Sequence, residues 1–379
     1  MTSDRRGGVG SRKNLRVLFT TRNVGWVGGV QLFIRDLARG LMARGHEPMV
    51  YCASYGRELE HVRAWAVPVI DDLSQLSVTP DLIHGNDSFG LVTAMMHFSE
   101  TPAIFFSHAW DIKSAVPPKL SRILRYVGVD ETCYDRLVKE NGIPLDKASI
   151  ILNSVDTSRF RPRGPLPEKP RRALLFGNVV RFNEYEKRIR EVCEKRGIEL
   201  DAVGAGFGKT IEHPEQILGD YDVVFAKGRC ALEAMAVGCA VVIQEDARIG
   251  GMITPAMFDK YRLWNFGWRA LESELTTDLV ESNLDLYDSA NAAEVSNRIR
   301  SEASLDGAVD QIEELYGEVI REYGEYPRDP RADLREFAAH FQLIDSRARS
   351  KVEPPGWIEK WPRLRNAVRR FRQTFGLYR

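Results

Sequence analysis

The chain has 379 residues, past the roughly 250 to 300 at which a single hydrophobic core stops growing, so two domains are expected. Hydrophobic residues make up 44% and charged residues 28%, and 53 Lys and Arg against 53 Asp and Glu leave no overall field to draw the molecule to nucleic acid. The cysteines, Cys52, Cys133, Cys193, Cys230 and Cys239, have neither the spacing of a disulfide framework nor that of a zinc site, which points to buried thiols in a reducing compartment.

Residues 1–13 are polar and basic and read as a disordered tail. No later stretch has the roughly 18 uninterrupted apolar residues of a spanning helix, so a cytoplasmic protein is expected. From residue 15 a short apolar strand runs into a glycine pair, Gly28 and Gly29. Val30, Phe33, Leu37 and Leu41 then share one face at helical spacing before a second strand over 48–52. Further apolar runs at 67–70, 82–84, 103–106, 127–129 and 148–152 read as parallel strands between helices. The stretch from Arg161 to Pro170 is proline-rich and reads as a linker, which closes a first domain over 14–162.

Runs at 173–176, 200–203, 223–226 and 240–243 repeat the alternation, so 171–325 is expected to be a second doubly wound domain, closed by a helix from about Gly307 to Tyr323. Residues 326–379 form a basic helical extension. Within it Trp357, Trp361, Leu364, Val368, Phe371 and Phe375 recur at helical spacing among arginines. That stripe either packs on the first domain or docks on an anionic membrane face.

Several residues carry chemical promise. A glycine pair where a strand hands over to a helix lets backbone N–H groups approach a diphosphate, although a plain tight turn has the same sequence. The segment Gly204-Ala205-Gly206-Phe207-Gly208-Lys209-Thr210 lacks phosphate-loop spacing, since three residues rather than four separate Gly204 from the Gly-Lys pair. It reads as a strand-end turn against which a nucleobase would lie. The run Lys227-Gly228-Arg229-Cys230-Ala231-Leu232-Glu233-Ala234-Met235-Ala236 places one carboxylate in an apolar helix. Such a carboxylate needs a partner, either ribose hydroxyls or a cation such as Arg229. Asp220-Tyr221-Asp222 reads as a turn into a strand, and no cluster has metal spacing, so no metal is expected.

This last run resembles the donor-binding helix of GT-B glycosyltransferases of the large retaining group, the family 4-like enzymes. Gly28-Gly29-Val30-Gln31, Pro80-Asp81-Leu82-Ile83-His84, Ser107-His108-Ala109-Trp110-Asp111 and Asn153-Ser154-Val155-Asp156 are similar to further segments of that family, in its order. The resemblance implies two Rossmann-like domains facing a central cleft. It also implies a nucleoside-diphosphate sugar as donor substrate, with no separate cofactor, and a glycan, lipid-linked or small-molecule acceptor.

Carried over residue by residue, the resemblance makes Glu233 the ribose partner, Gly28 and Gly29 diphosphate donors, and His108 a neighbour of the transferring sugar. Arg181 and Lys187 would bind phosphate, though they stand six apart where the family has about five, and Arg188 or Asn178 are substitutes. Eight residues before Glu233 the family has a second carboxylate, where this chain has Phe225. Lys227, Gly228 and Arg229 fill the gap and would hold the diphosphate instead. That departure keeps open a non-catalytic partner subunit, and a nucleotide-sugar epimerase shares the fold.

Overall fold

Short strands of β-branched and aromatic residues alternate with amphipathic helices along the chain, and they assemble into two sheets. The computed structural model describes residues 14–22, 24, 28–52, 66–108, 116–178, 181–325 and 329–350. The amphipathic stripe expected over 357–379 lies outside the described residues, as do 1–13.

The first sheet is built from β1 (Arg16–Thr21), β2 (Glu47–Cys52), β3 (Val69–Ile70), β4 (Leu82–Gly85), β5 (Ala103–Ser107), β6 (Ile123–Gly128) and β7 (Ala148–Ile150). Its order is β3-β2-β1-β4-β5-β6-β7, and every pairing is parallel. Helices α1 (Gly29–Ala43), α2 (Ser88–His97) and α3 (Glu131–Asp135) connect these strands. Both faces of the sheet are covered. Along β1, Val17 and Phe19 point to the layer holding Ile34, Leu37 and Leu41 of α1, while Leu18 points to Leu91 and Met95 of α2.

The second sheet holds β8 (Arg172–Phe176), β9 (Glu199–Val203), β10 (Val223–Ala226), β11 (Ala240–Glu245), β12 (Arg248–Met252) and β13 (Ser273–Glu274), in the order β13-β12-β11-β10-β8-β9. The last two strands pair antiparallel, β12 on β11 and β13 on β12, and were not anticipated, because Gly250 and Gly251 interrupt the apolar run of β12. Around the sheet lie α4 (Glu184–Lys195), α5 (Gly228–Val237), α6 (Pro255–Leu263), α7 (Thr277–Asp285) and α8 (Ser289–Glu302), followed by α9 (Leu305–Glu325) and α10 (Pro330–Ser350).

The boundary drawn at residue 325 needs correcting, because α9 belongs by packing to the first domain. Its Val309, Ile312, Tyr316, Val319 and Tyr323 join the same core cluster as Val17, Phe19 and Leu37. Gly40 makes the crossing of α1 and α9 close, since a Cβ there would meet Val309 Cγ2 at 2.7 Å. Arg44 reaches Asp310 at 2.6 Å and Glu313 at 2.7 Å, and Tyr316 Oη lies 2.6 Å from Nδ1 of the buried His84. Helix α10 continues onto the same domain: Phe337 enters its core and Asp333 pairs with Arg122 Nε at 2.8 Å. A cavity of about 370 Å³ between α2 and α10 opens at the amino ends of the strands.

A second joint is the turn after α6. Asn265 and Phe266 both take left-handed backbone, φ +48° and +53°, which is strained for residues other than glycine. Asn265 Oδ1 accepts from Arg262 Nη1 at 2.7 Å and from the Asn153 N–H at 3.2 Å, and its Nδ2 donates to the Val129 carbonyl. Trp264 Nε1 donates to Glu131 at 2.8 Å and Arg269 to Asp135 at 2.7 Å, so this turn plugs the second domain into the end of β6 and the start of α3.

Candidate functional site

In an open parallel sheet, ligands bind where the strand order reverses, beyond the carboxyl ends of the strands. In the first sheet that place lies between β1 and β4, and in the second between β8 and β10. The chain leaves β1 into Gly28 and Gly29, and leaves β10 into Lys227 and Gly228. Both glycine-bearing helix starts found in the sequence therefore sit at switch points.

Gly28 caps α1 in extended backbone, and its carbonyl accepts from Leu32 N–H at 3.0 Å. A Cβ built on Gly29 meets nothing within 4 Å among the described residues, so their packing does not require glycine there. The first-turn N–H groups of a helix have no partner within the helix, and its positive end favours an anion.

His108 follows β5 at the same edge. Asn86 Nδ2 donates to the His84 carbonyl at 3.3 Å, which turns Asn86 Oδ1 toward His108 Nε2 at 2.8 Å. This network assigns the ring proton to Nε2 and makes Nδ1 the acceptor nitrogen. Phe33 stands edge-on to the ring at 4.8 Å, and burial pushes the His108 pKa down to about 3, so the imidazole stays neutral. Asn86, which fixes the tautomer, went unnoticed in the sequence, where nothing marks it beyond two positions of separation from His84.

In the second domain Glu233 is buried on α5, and Arg229 Nε donates to its Oε1 at 2.9 Å. Of the two partners the sequence left open, this is the cation. Arg229 also binds Asp36 of α1, across the domains. Burial raises the Glu233 carboxyl above its ordinary range, against the pull of Arg229. Lys227 Nζ lies 2.7 Å from Glu245 at the end of β11. The Gly228 N–H, expected to meet a diphosphate, donates instead to the Phe266 carbonyl at 2.7 Å, because the left-handed turn carries that oxygen over the start of α5.

The remaining candidates divide. Arg181 is 64% exposed in the loop beyond β8, with Asp246 at 3.8 Å. Lys187 is exposed on α4, while Arg188 donates to the Leu275 carbonyl at 2.7 Å and so holds the fold together. Asn178 lies beside Gly204, 3.4 Å from where its Cβ would stand. Gly204 has a backbone reason to be glycine: at φ +150° a Cβ would meet the Gly177 carbonyl oxygen at 2.0 Å. Phe225 is fully buried in β10 within the second core, so that position offers the cleft nothing. Asp222 accepts from Arg171 N–H at 2.8 Å and pairs with Arg163 at 3.1 Å, which makes it the strand-entry residue expected.

Residues 27–159 match the family model described as Glycosyltransferase Family 4. No curated protein sequence matches the chain. Among solved structures, HepE of Anabaena in complex with UDP and glucose aligns at a TM-score of 0.56 and 13% identity, over 80% of this chain and 100% of that one. A glycosyltransferase from Rickettsia africae aligns at 0.53 and 15%, over 81% and 99%. The catalytic domain of starch synthase IV from Arabidopsis thaliana, bound to ADP and acarbose, aligns at 0.51 and 11%, over 82% and 100%. At these identities the likeness speaks for the fold, and the chain has the GT-B architecture: two parallel-sheet, Rossmann-like domains with their switch points turned toward a shared cleft.

Proposed function

We propose that this protein is a glycosyltransferase that moves a sugar from a nucleoside-diphosphate donor to a glycan, lipid-linked or small-molecule acceptor, with retention and without a metal. The observation that carries the reading is Glu233, a carboxylate buried in an apolar helix at the second domain's switch point. Arg229 engages its Oε1, and ribose hydroxyls are suitable donors to Oε2. The match of the first domain to the family 4 model and the UDP and ADP in two of the related structures support the same reading.

In this account the diphosphate rests on the N–H groups that begin α1, and exposed Arg181 closes over it. Lys227 and Arg229, each already in an ion pair, stabilise it through the field rather than by contact. Neutral His108 accepts at Nδ1 from a hydroxyl of the transferring sugar. Catalysis is then positioning plus stabilisation of the leaving diphosphate. For a lipid-linked acceptor, residues 357–379 supply the membrane contact on the cytoplasmic face, testable by cosedimentation with anionic vesicles.

Thermal unfolding against a panel of nucleoside diphosphates and their sugars tests the donor site. A ligand at 100 times its Kd adds about 2.7 kcal/mol to wild type, and Glu233→Ala abolishes the shift. No shift from any member, together with no turnover, would sink the reading. Phe225 favours one second reading, a non-catalytic subunit that binds a nucleotide-sugar for an active partner. It predicts donor stabilisation without turnover, and unchanged activity of the complex in His108→Ala.

A further inference from the structure

The ion chain from Asp36 through Arg229 to Glu233 joins two domains, and its members have largely left water: side-chain exposure is 9% for Asp36, 15% for Arg229 and 5% for Glu233. A carboxylate on the flank of an apolar helix stripe is costly to bury without a cation, and Asp36 has two. Arg35 Nε donates to its Oδ1 at 3.0 Å, and Arg229 Nη2 donates to its Oδ2. Arg229 is thus the shared member, with Nε on Glu233 Oε1 at 2.9 Å. A guanidinium is rigid and planar, so fixing Nη2 on Asp36 fixes the plane from which Nε holds Glu233.

We propose that Asp36 is a positioning residue for the donor site of the opposite domain: through Arg229 it sets the orientation of Glu233, so the ribose-binding carboxylate is held in place only while the first domain is docked. This rests on the reading of Glu233 as the ribose partner. Burial is the largest influence on both carboxylates, and it raises Glu233. At Asp36 the combined pull of Arg229 and Arg35 outweighs burial and holds the group below its ordinary range. Asp36 is therefore the firmer anion, and Arg229 is anchored from the first domain. Linkage makes the effect reciprocal: if docking improves ribose binding, ribose binding strengthens docking by the same factor. Arrival of the donor then brings His108 and the acceptor side over the sugar.

The experiment measures, by calorimetry on the full chain, the affinities of uridine, adenosine and guanosine diphosphates and of their 2′,3′-dideoxy counterparts. Wild type, Asp36→Asn, Asp36→Glu and Glu233→Gln are compared. Wild type prefers the ribo form of the nucleotide it binds best. Asp36→Asn weakens that form by about 5- to 150-fold, the range of typical coupling between sites, and leaves the dideoxy form nearly unchanged. Asp36→Glu keeps the charge and recovers part of the preference. A variant that merely loosened the fold would weaken both forms together and preserve their ratio, and that result overturns the proposal. If wild type shows a Glu233-dependent ribose preference that Asp36→Asn retains, the positioning role falls and the donor reading stands. If wild type binds neither form, both fall.

Discussion

The two helix starts that face the cleft are chemically similar in sequence and differ in how their glycines are held. At the start of α1 the extended Gly28 has only the end of a flexible side chain against it, since a Cβ there would meet Gln31 Oε1 at 2.7 Å, and a Cβ on Gly29 would meet nothing within 4 Å among the described residues. At the start of α5 the neighbouring groups are committed. Gly228 takes φ +57° and gives its N–H to Phe266, Lys227 is on Glu245, and Arg229 is on Asp36 and Glu233. A positive helix end is a binding place only where its donors remain uncommitted. The first domain thus leaves space at Gly29 for a ligand, whereas the second presents a prebuilt ion chain whose shape depends on its neighbour.

The largest effect that would break this contrast is at Arg229. Arg229→Ala leaves Asp36 and Glu233 buried with their shared cation gone, and is expected to cost about 3 to 5 kcal/mol in a denaturant melt. A loss under about 1 kcal/mol would mean that the start of α5 is not prebuilt. Next comes a matched pair of alanines. Gly228→Ala forces a side chain into left-handed backbone and should cost about 1 to 2 kcal/mol, whereas Gly29→Ala enters ordinary helix and should gain up to about 1 kcal/mol. The same Gly29→Ala should weaken donor binding, because its methyl occupies the space where the diphosphate would rest.

Smaller again is the joint at Asn265. Asn265→Ala and Asn265→Gly remove the same bridge to Val129 and Asn153, and only glycine relieves the backbone. The glycine variant should therefore be the more stable by about 1 to 2 kcal/mol in paired thermal melts.

The pH effect is gradual. His108 has a folded pKa of about 3, below the unfolded value of about 6.5. Its contribution is intact above pH 6.5 and is lost as pH falls toward 3, because the unfolded chain takes up the proton first. Buried His84 is depressed in the same direction, so His108→Asn should flatten the acid side of the stability profile without abolishing its slope. An unchanged acid limb would show that His108 is more hydrated than its packing against Phe33 suggests.

Much of the architecture could be read before the structure, because it lives in local pattern. The apolar runs of β1, β4, β8, β10 and β11, the glycines after β1 and the lone carboxylate of α5 are all short-range signals. What escaped depends on distant partners. Asp36 is one more polar residue beside the stripe of α1 until Arg229, 193 positions away, reaches it. The apolar spacing of α9 marks a helix and says nothing about which sheet it covers. Arg188 stood beside Lys187 as its substitute for binding phosphate, and the position of the Leu275 carbonyl separates them. The left-handed turn that captures the Gly228 N–H has no glycine to announce it at Asn265 and Phe266.

The return of α9 to the first sheet also dictates an order of events during synthesis. When residue 162 has been made, the layer that will receive Val309, Ile312 and Tyr316 is still uncovered, and His84 still lacks its Tyr316 hydroxyl. At roughly 5 to 20 residues per second, the ribosome needs on the order of ten to thirty seconds more to deliver α9. The elements of the second sheet, through α8, all emerge during that wait. The domain begun first is thus the one completed last, and a chain stopped after residue 304 would carry a finished second sheet tethered to an apolar face in need of a chaperone.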